Sequence, residues 1–149
     1  MIFSIMITSQ TKIYPPILEP EFPSLEAVAG LFQMLHAQGV RYVHWKSNIR
    51  LGLSLQGGTD LDLLVDKEHS RTFRQILLQQ EIKPILPPQG QRYPGMEHYL
   101  GFDPASGKLF HLHVHYQLVL GDEYIKNFRL PLEEYFLQHT RLLHIHQRA

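Results

Sequence analysis

Residues 59–65, TDLDLLV, constrain this chain more than any other stretch of its 149 residues. The run of leucines closed by a valine predicts a short β-strand that is buried on at least one face. Side chains two residues apart on a strand point to the same face, so the carboxylates of Asp60 and Asp62 are expected to project together. The chain should therefore contain a β-sheet with an acidic pair on one face.

The pattern around this strand predicts an α/β (α+β) fold, in which a small mixed β-sheet is flanked by helices. Apolar residues at helical spacing predict a first helix over residues 25–38, with Ser24 as its N-cap and Gly39 as its stop. A strand, a polar loop, the acidic strand and a second helix follow. Their predicted ranges are 41–45, 46–59, 61–65 and, from Asp66 or Ser70 onward, up to 80.

The second half of the chain predicts a hairpin and a last helix. Two strand-like runs, 96–103 and 108–119, flank a four-residue connection, PASG, with good turn chemistry. A short strand is expected before them at 82–86, and a helix after them at about 132–139. This order of elements fits one mixed sheet.

Prolines near the start predict a boundary within the chain. Residues 12–23 contain four prolines, which cannot donate backbone hydrogen bonds. We therefore expect an extended, proline-rich lead-in over residues 1–23 and one domain over residues 24–149. The last residues carry no obvious stop signal, which leaves open that this domain is part of a longer chain.

Composition limits the classes of function. Fourteen basic residues balance fourteen acidic ones, so no broad positive surface for nucleic acid is expected. The lack of cysteine excludes a disulfide framework, a thiol nucleophile and a thiolate zinc site, and it agrees with a reducing compartment. No run approaches the roughly 20 apolar residues of a membrane span. We expect a cytoplasmic protein with a small or locally docked substrate and no membrane association.

Two carboxylates on one strand face can share a divalent cation, and oxygen ligands favour Mg²⁺. Such an ion also neutralises charge on a transferring phosphoryl group. The polar loop before the acidic strand begins with Lys46, Ser47 and Asn48, which offer a cation, a hydroxyl group and backbone N–H groups to a triphosphate. The alternative is an ordinary amphipathic strand with solvated carboxylates and a solvated lysine at a strand end.

The stretch VHWKSNIRLGLSLQGGTDLDLLV resembles the nucleotidyltransferase superfamily of the polymerase-β type. That family combines a strand ending in Gly-Ser or Gly-Gly, a spacer, and the pattern Asp-hydrophobic-Asp-hydrophobic. The resemblance is closest to an uncharacterised bacterial branch with a lysine at or beside the usual glycine, and it spans about residues 25–120. It implies that Asp60 and Asp62 bind Mg²⁺, with Mn²⁺ as a substitute. It also implies that Ser47 and its loop hold the phosphates of an NTP.

The family's third carboxylate belongs to a neighbouring strand, in a run of the form Asp-hydrophobic-His-aromatic. The matching run is HVHY at residues 113–116, so His113 occupies the aspartate position. The resemblance implies that His113 binds the metal or deprotonates the acceptor hydroxyl, with one negative charge fewer. The predicted activity is transfer of NMP from an NTP to an unknown hydroxyl acceptor on a small molecule, protein or RNA. The alternative is a catalytically impaired nucleotide-binding or regulatory module.

His111, His113 and His115 share one face of their predicted strand, which also suggests a zinc or other transition-metal site. Three histidines along a flat strand do not converge tetrahedrally by themselves. Participation beside the acidic pair and a half-exposed polar strand are therefore the other interpretations. Trp45 is expected to pack in the core near the site, with stacking on a base as the alternative.

Overall fold

The structure is a computed structural model that describes residues 2–8, 22–46, 48–122 and 125–147. Ser47, one of the predicted phosphate-binding residues, lies outside the described residues, as does most of the proline-rich stretch. The described residues form four α-helices, one mixed sheet of eight strands and a ribbon of two strands. The predicted α+β class is confirmed.

The bounds of the elements follow the chain from its start. The helices are α1 (Glu26–Ala37), α2 (Leu51–Leu55), α3 (Ser70–Gln79) and α4 (Glu133–Gln138). The strands of the large sheet are β1 (Ile2–Thr8), β2 (Phe22–Ser24), β3 (Tyr42–His44), β4 (Leu61–Val65), β5 (Lys83–Ile85), β6 (Met96–Asp103), β7 (Lys108–His115) and β10 (Thr140–Gln147). The ribbon consists of β8 (Val119–Asp122) and β9 (Ile125–Arg129).

The large sheet has the strand order β2-β10-β1-β3-β4-β7-β6-β5. At its centre β3 and β4 are antiparallel, whereas β4 and β7 are parallel. The predicted hairpin forms as β6 and β7, and Asp103 pairs with Lys108 across the turn, but its second strand ends at His115 and not at residue 119 as predicted. The acidic strand and the histidine strand are therefore direct neighbours, although residues 66–107 lie between them in the chain.

Alternation on the central strands divides their side chains between two faces. One face joins the main core, in which residues of α1 and α3 pack against the sheet. The residues of β4 and β7 in this core are Leu61, Leu63, Val65, Phe110, Leu112 and Val114. The second face carries a smaller core of Val43, Leu64, Leu118 and Leu137. Because side chains alternate, Asp62 and the three histidines of β7 lie on this second face.

Helix α1 begins and ends close to its predicted bounds, but its N-terminus is satisfied differently. The residue before the helix is Leu25, whose side chain makes no capping hydrogen bond, and Ser24 donates to the Leu25 carbonyl instead. Asp103 at the end of β6 accepts a hydrogen bond from the Ala27 backbone N–H at 2.8 Å. The predicted Ser24 cap is therefore wrong. Gly39, at φ +64°, follows the helix end as predicted.

Residues 2–8, assigned above to the lead-in, form β1 within the large sheet. This strand pairs along its full length with β10, which the sequence pattern did not identify as a strand. Residues 2–8 thus share a sheet with the rest of the domain, and two of them, Ile5 and Ile7, are buried in the main core. The boundary expected at residue 24 does not separate them from the domain.

Candidate functional site

Asp60 and Asp62 line one cavity at the start of β4, but their carboxylates have different partners. Asp60 Oδ1 lies 2.7 Å from His111 Nδ1, whereas Asp62 Oδ1 lies 3.1 Å from His113 Nδ1. The side chain of Asp60 is 51% exposed and that of Asp62 only 13%. The acidic pair is thus split into two carboxylate–histidine pairs.

The register of the central strands explains this arrangement. In the parallel ladder of β4 and β7, Asp62 pairs with His113. Residues in register on neighbouring strands point to the same face, so each carboxylate meets an imidazole. His113 therefore lies beside Asp62 on the neighbouring strand.

Asp62 is the centre of a compact group that we call the Asp62 cluster, formed by Lys46, Asp62, His113 and His115. Lys46 Nζ lies 2.6 Å from Asp62 Oδ1, and His115 Nε2 lies 3.7 Å from the same oxygen. One potential ligand atom from each of Asp62, His113 and His115 lies within 4.8 Å of the others. Carboxylate and imidazole groups at such separations can bind one metal ion.

Several polar atoms of the Asp62 cluster are buried without a regular hydrogen bond to another described residue. They are Asp62 Oδ1, His113 Nε2 and both ring nitrogens of His115. The contacts of Asp62 Oδ1 with Lys46, His113 and His115 are ion pairs by distance. A buried polar atom without a hydrogen bond in a native fold commonly has an additional partner such as an ion, so these atoms are candidates for ligand binding.

The protonation states of Asp62 and His115 near neutral pH favour the binding of a cation. Burial alone would raise the pKa of Asp62, but His113, His115 and Lys46 outweigh burial and hold this pKa far below its ordinary value. Burial lowers the pKa of His115 to about 4. Near neutral pH, Asp62 is therefore an anion and His115 a neutral imidazole, the forms that coordinate metal ions.

A row of imidazoles extends from the Asp62 cluster. His98 of β6 pairs with His113 in the hairpin register, and their rings stack at 4.4 Å. The Nδ1 atom of His98 lies 3.1 Å from Nε2 of His111, whose Nδ1 contacts Asp60. Asp60, His111 and His98 therefore form a connected chain of hydrogen-bonding groups.

Two cavities border these carboxylate–histidine pairs. The Lys46 cavity, of about 280 Å³, is lined by His44, Lys46, Ile49, Arg50, Ser54, Thr59, Asp60 and Asp62. The His98 cavity, of about 390 Å³, is lined by Ile85, Pro87, Gln91, Tyr93, Met96, His98, His111 and His113. The carboxylates open toward the first cavity and the imidazoles toward the second, so the pairs lie between them.

Of the predicted phosphate-binding residues that the structure describes, Lys46 lines a cavity of the site and Asn48 does not. Lys46 lines the Lys46 cavity, whereas Asn48 Oδ1 accepts a hydrogen bond from His44 Nδ1 at 3.1 Å. Burial lowers the pKa of His44, which is therefore neutral near neutral pH. Trp45 packs edge-on against His115 at 5.0 Å and contacts the smaller core, as core packing predicts.

No family model, curated protein or solved structure matches this chain. No described helix has the length and hydrophobicity needed to cross a membrane.

Sequence reasoning missed His98 and Arg50 as site residues. The hairpin pattern contained the signal for His98, because a connection over 104–107 pairs 103 with 108 and hence 98 with 113. Arg50 lacked a comparable signal, since its place in the Lys46 cavity depends on the fold of a loop.

The donor atoms around Asp62 fit Mg²⁺ on one side only. The Lys46 cavity offers the carboxylate oxygens of Asp60 and Asp62, and Mg²⁺ commonly binds one or two carboxylates together with substrate phosphates. The opposite side of Asp62 offers the nitrogens of His113 and His115, which are poor ligands for Mg²⁺.

Proposed function

We propose that this protein is a nucleotidyltransferase that transfers NMP from an NTP to a hydroxyl acceptor. The observation that carries the proposal is the position of Asp62. It lies in register with His113 on the parallel neighbour β7, between two cavities, and it contacts Lys46. This arrangement supports the resemblance to polymerase-β-type nucleotidyltransferases.

The Lys46 cavity suits the triphosphate of the NTP. Lys46 and Arg50 supply positive charge, and Ser54 and Thr59 supply hydroxyl groups that can donate to phosphate oxygens. An Mg²⁺ or Mn²⁺ ion that accompanies the NTP would be held by Asp60 and Asp62, and it supplies charge neutralisation for the phosphates. The volume of the cavity, about 280 Å³, lies just below the roughly 300–1,000 Å³ of typical small-ligand sites.

The His98 cavity suits the acceptor. Its walls combine the imidazoles of His98 and His111 with the apolar and aromatic side chains of Met96 and Tyr93. The acceptor hydroxyl gives its proton to the His98–His111 pair, which Asp60 anchors through His111 Nδ1. The acceptor oxygen then bonds to the α-phosphorus of the NTP, and pyrophosphate leaves. His113 contacts Asp62 and keeps its carboxylate in place beside both substrates.

Asp62→Asn tests this function. We expect wild type to transfer label from α-³²P NTPs with Mg²⁺ or Mn²⁺ to a component of a cell extract. Asp62→Asn should reduce transfer at least about a hundredfold, because the amide lacks the charge that binds the metal and Lys46. Glu68→Gln, which removes an exposed carboxylate beyond the end of β4, is the matched control and should transfer like wild type. Equal transfer by wild type and Asp62→Asn contradicts the proposal.

A nucleotide-binding module without turnover is the second candidate. It is favoured by His113 at the third-carboxylate position and by the ion pair of Lys46 with Asp62. This candidate predicts NTP binding by wild type without labelling of any acceptor. Calorimetric titration with NTPs, run beside the transfer assay, separates the two functions.

A further inference from the structure

Asp62 faces two chemically different environments. The Lys46 cavity presents oxygen ligands and positive side chains, whereas His113 and His115 present imidazole nitrogens. We propose that Asp62, His113 and His115 bind one transition-metal ion of the Zn²⁺ or Co²⁺ class on the histidine side of Asp62, opposite the side on which any Mg²⁺ that accompanies a nucleotide would bind. The proposal is independent of nucleotidyl transfer, because it concerns metal binding by the protein alone.

The distances between the candidate ligand atoms fit such an ion. Two ligands bound tetrahedrally at about 2.0–2.1 Å from zinc lie roughly 3.3 Å from each other. Asp62 Oδ1 lies 3.1 Å from His113 Nδ1 and 3.7 Å from His115 Nε2, which bracket that separation. The two histidine nitrogens lie within 4.8 Å of each other, so binding of one ion requires side-chain rotations that close any remaining gap to about 3.3 Å.

Asp62 gives this site a geometry that three histidines on one strand would not have. Histidines along a flat strand do not converge, but Asp62 projects from the neighbouring strand toward two of them. Ligands from two adjacent strands surround a point from different directions. A site with two histidines and one carboxylate also leaves a coordination position for water or substrate.

Ligand type selects the class of metal. Imidazole nitrogen suits zinc, cobalt, nickel, copper and iron, whereas Mg²⁺ and Ca²⁺ favour oxygen ligands. Of the three candidate ligand atoms, Asp62 Oδ1 and His115 Nε2 are buried without hydrogen bonds to other described residues, whereas in His113 the nitrogen without such a bond is Nε2 and Nδ1 faces Asp62. Asp62 Oδ1 and His115 Nε2 therefore retain lone pairs that a metal ion can use.

The ammonium group of Lys46 competes with the metal ion for Asp62 Oδ1. This group lies 2.6 Å from Asp62 Oδ1, the oxygen nearest to both histidines. A metal ion must share or displace this contact, and the 43% exposed lysine side chain can turn toward the Lys46 cavity. Removing the charge of Lys46 should therefore increase metal affinity, by roughly tenfold for a charge this close.

Cobalt titration of untagged, chelator-treated protein tests the site. We expect one Co²⁺ per chain, with visible absorption bands that Zn²⁺ removes and millimolar Mg²⁺ does not. His115→Ala should weaken Co²⁺ binding at least about tenfold, because it removes a direct ligand. Lys46→Met should strengthen it. His144→Ala, which removes an exposed histidine on β10, is the control and should bind like wild type.

The variants keep the test decisive even if one of them is unstable. A gain of affinity in Lys46→Met cannot come from unfolding, so it supports the site even if His115→Ala fails to fold. Absence of Co²⁺ and Zn²⁺ binding by folded wild type overturns the proposal. Equal losses in His115→Ala and His144→Ala overturn it as well, since they indicate adventitious binding by surface histidines. Nucleotide is absent throughout, so failure of the transfer reaction has no effect on these outcomes.

Discussion

Gly101 on β6 lies opposite Phe110 on β7, where no larger residue fits without rearrangement. A Cβ atom built at Gly101 would overlap the buried ring of Phe110. Gly101→Ala should therefore lower the free energy of unfolding by about 1–3 kcal/mol, as overpacking does elsewhere. Gly90→Ala is the control, because a Cβ there meets no atom within 4 Å. Urea denaturation measures both, and equal midpoints would show that the hairpin accommodates the methyl group.

Single residues of the site were only partly predictable from the sequence. The alternation in residues 59–65 predicted that Asp60 and Asp62 share a strand face, because that geometry is local. Their different partners, His111 and His113, depend on the register of β4 against β7, which no local pattern encodes. The contact of Lys46 with Asp62 likewise depends on how a loop folds back to β4.

At the scale of elements, the N-terminus of α1 depends on Asp103 of the β6–β7 hairpin. Asp103 is 1% exposed, and its carboxylate accepts hydrogen bonds from the backbone N–H groups of Ala27 and Ser106 and from the Ser106 hydroxyl. Asp103→Asn should lower the free energy of unfolding at pH 7 by about 1–2 kcal/mol, because it removes the negative charge from this cap. Glu68→Gln should leave it unchanged.

The pH dependence of this effect has a defined sign. Burial alone would raise the pKa of Asp103, but the hydrogen bonds from Ser106 and Ala27 outweigh it, so the pKa is lowered in the folded protein. A lowered pKa gives stability that is complete above the unfolded value of about 3.9 and is lost as pH falls through the folded value. The difference between wild type and Asp103→Asn should therefore shrink below about pH 4. Urea denaturation at several pH values measures it, and a constant difference would contradict this role.

The elements that were predictable from the sequence are those with a strong local pattern. Helix α1, strand β4 and the β6–β7 hairpin follow from local periodicity and turn residues. The cap of α1 was not predictable from local patterns, because Asp103 lies 76 residues from Ala27 in sequence. Strand β10 was not predictable from them either, because its place in the sheet comes from pairing with β1 at the other end of the described chain.

At the scale of the whole molecule, the large sheet contains a narrow connection between β1 and β3. Strand β1 pairs with β10 along its full length but shares a single register pair, Ile7 with His44, with β3. The strands β2, β10 and β1 thus form one unit, and β3, β4, β7, β6 and β5 form another that contains the candidate site. Within the described residues, the Met6 backbone N–H donates a hydrogen bond to the Tyr42 hydroxyl at 3.4 Å, and the buried side chains of Ile5 and Ile7 in the main core add to this connection.

Native-state hydrogen exchange should detect this division. Few backbone hydrogen bonds hold β1 to β3, so the unit of β2, β10 and β1 should open at a lower free energy than global unfolding. Amides of β1 and β10 should then exchange faster than those of β4 and β7, with the β6–β7 hairpin as the internal reference. Co²⁺ or Zn²⁺, if bound at Asp62, should slow exchange in β4 and β7 and leave the faster unit nearly unchanged, because ligands stabilise the region that binds them. Equal protection of β1 and β7 would mean that burial of Ile5 and Ile7 makes the whole sheet open as one unit.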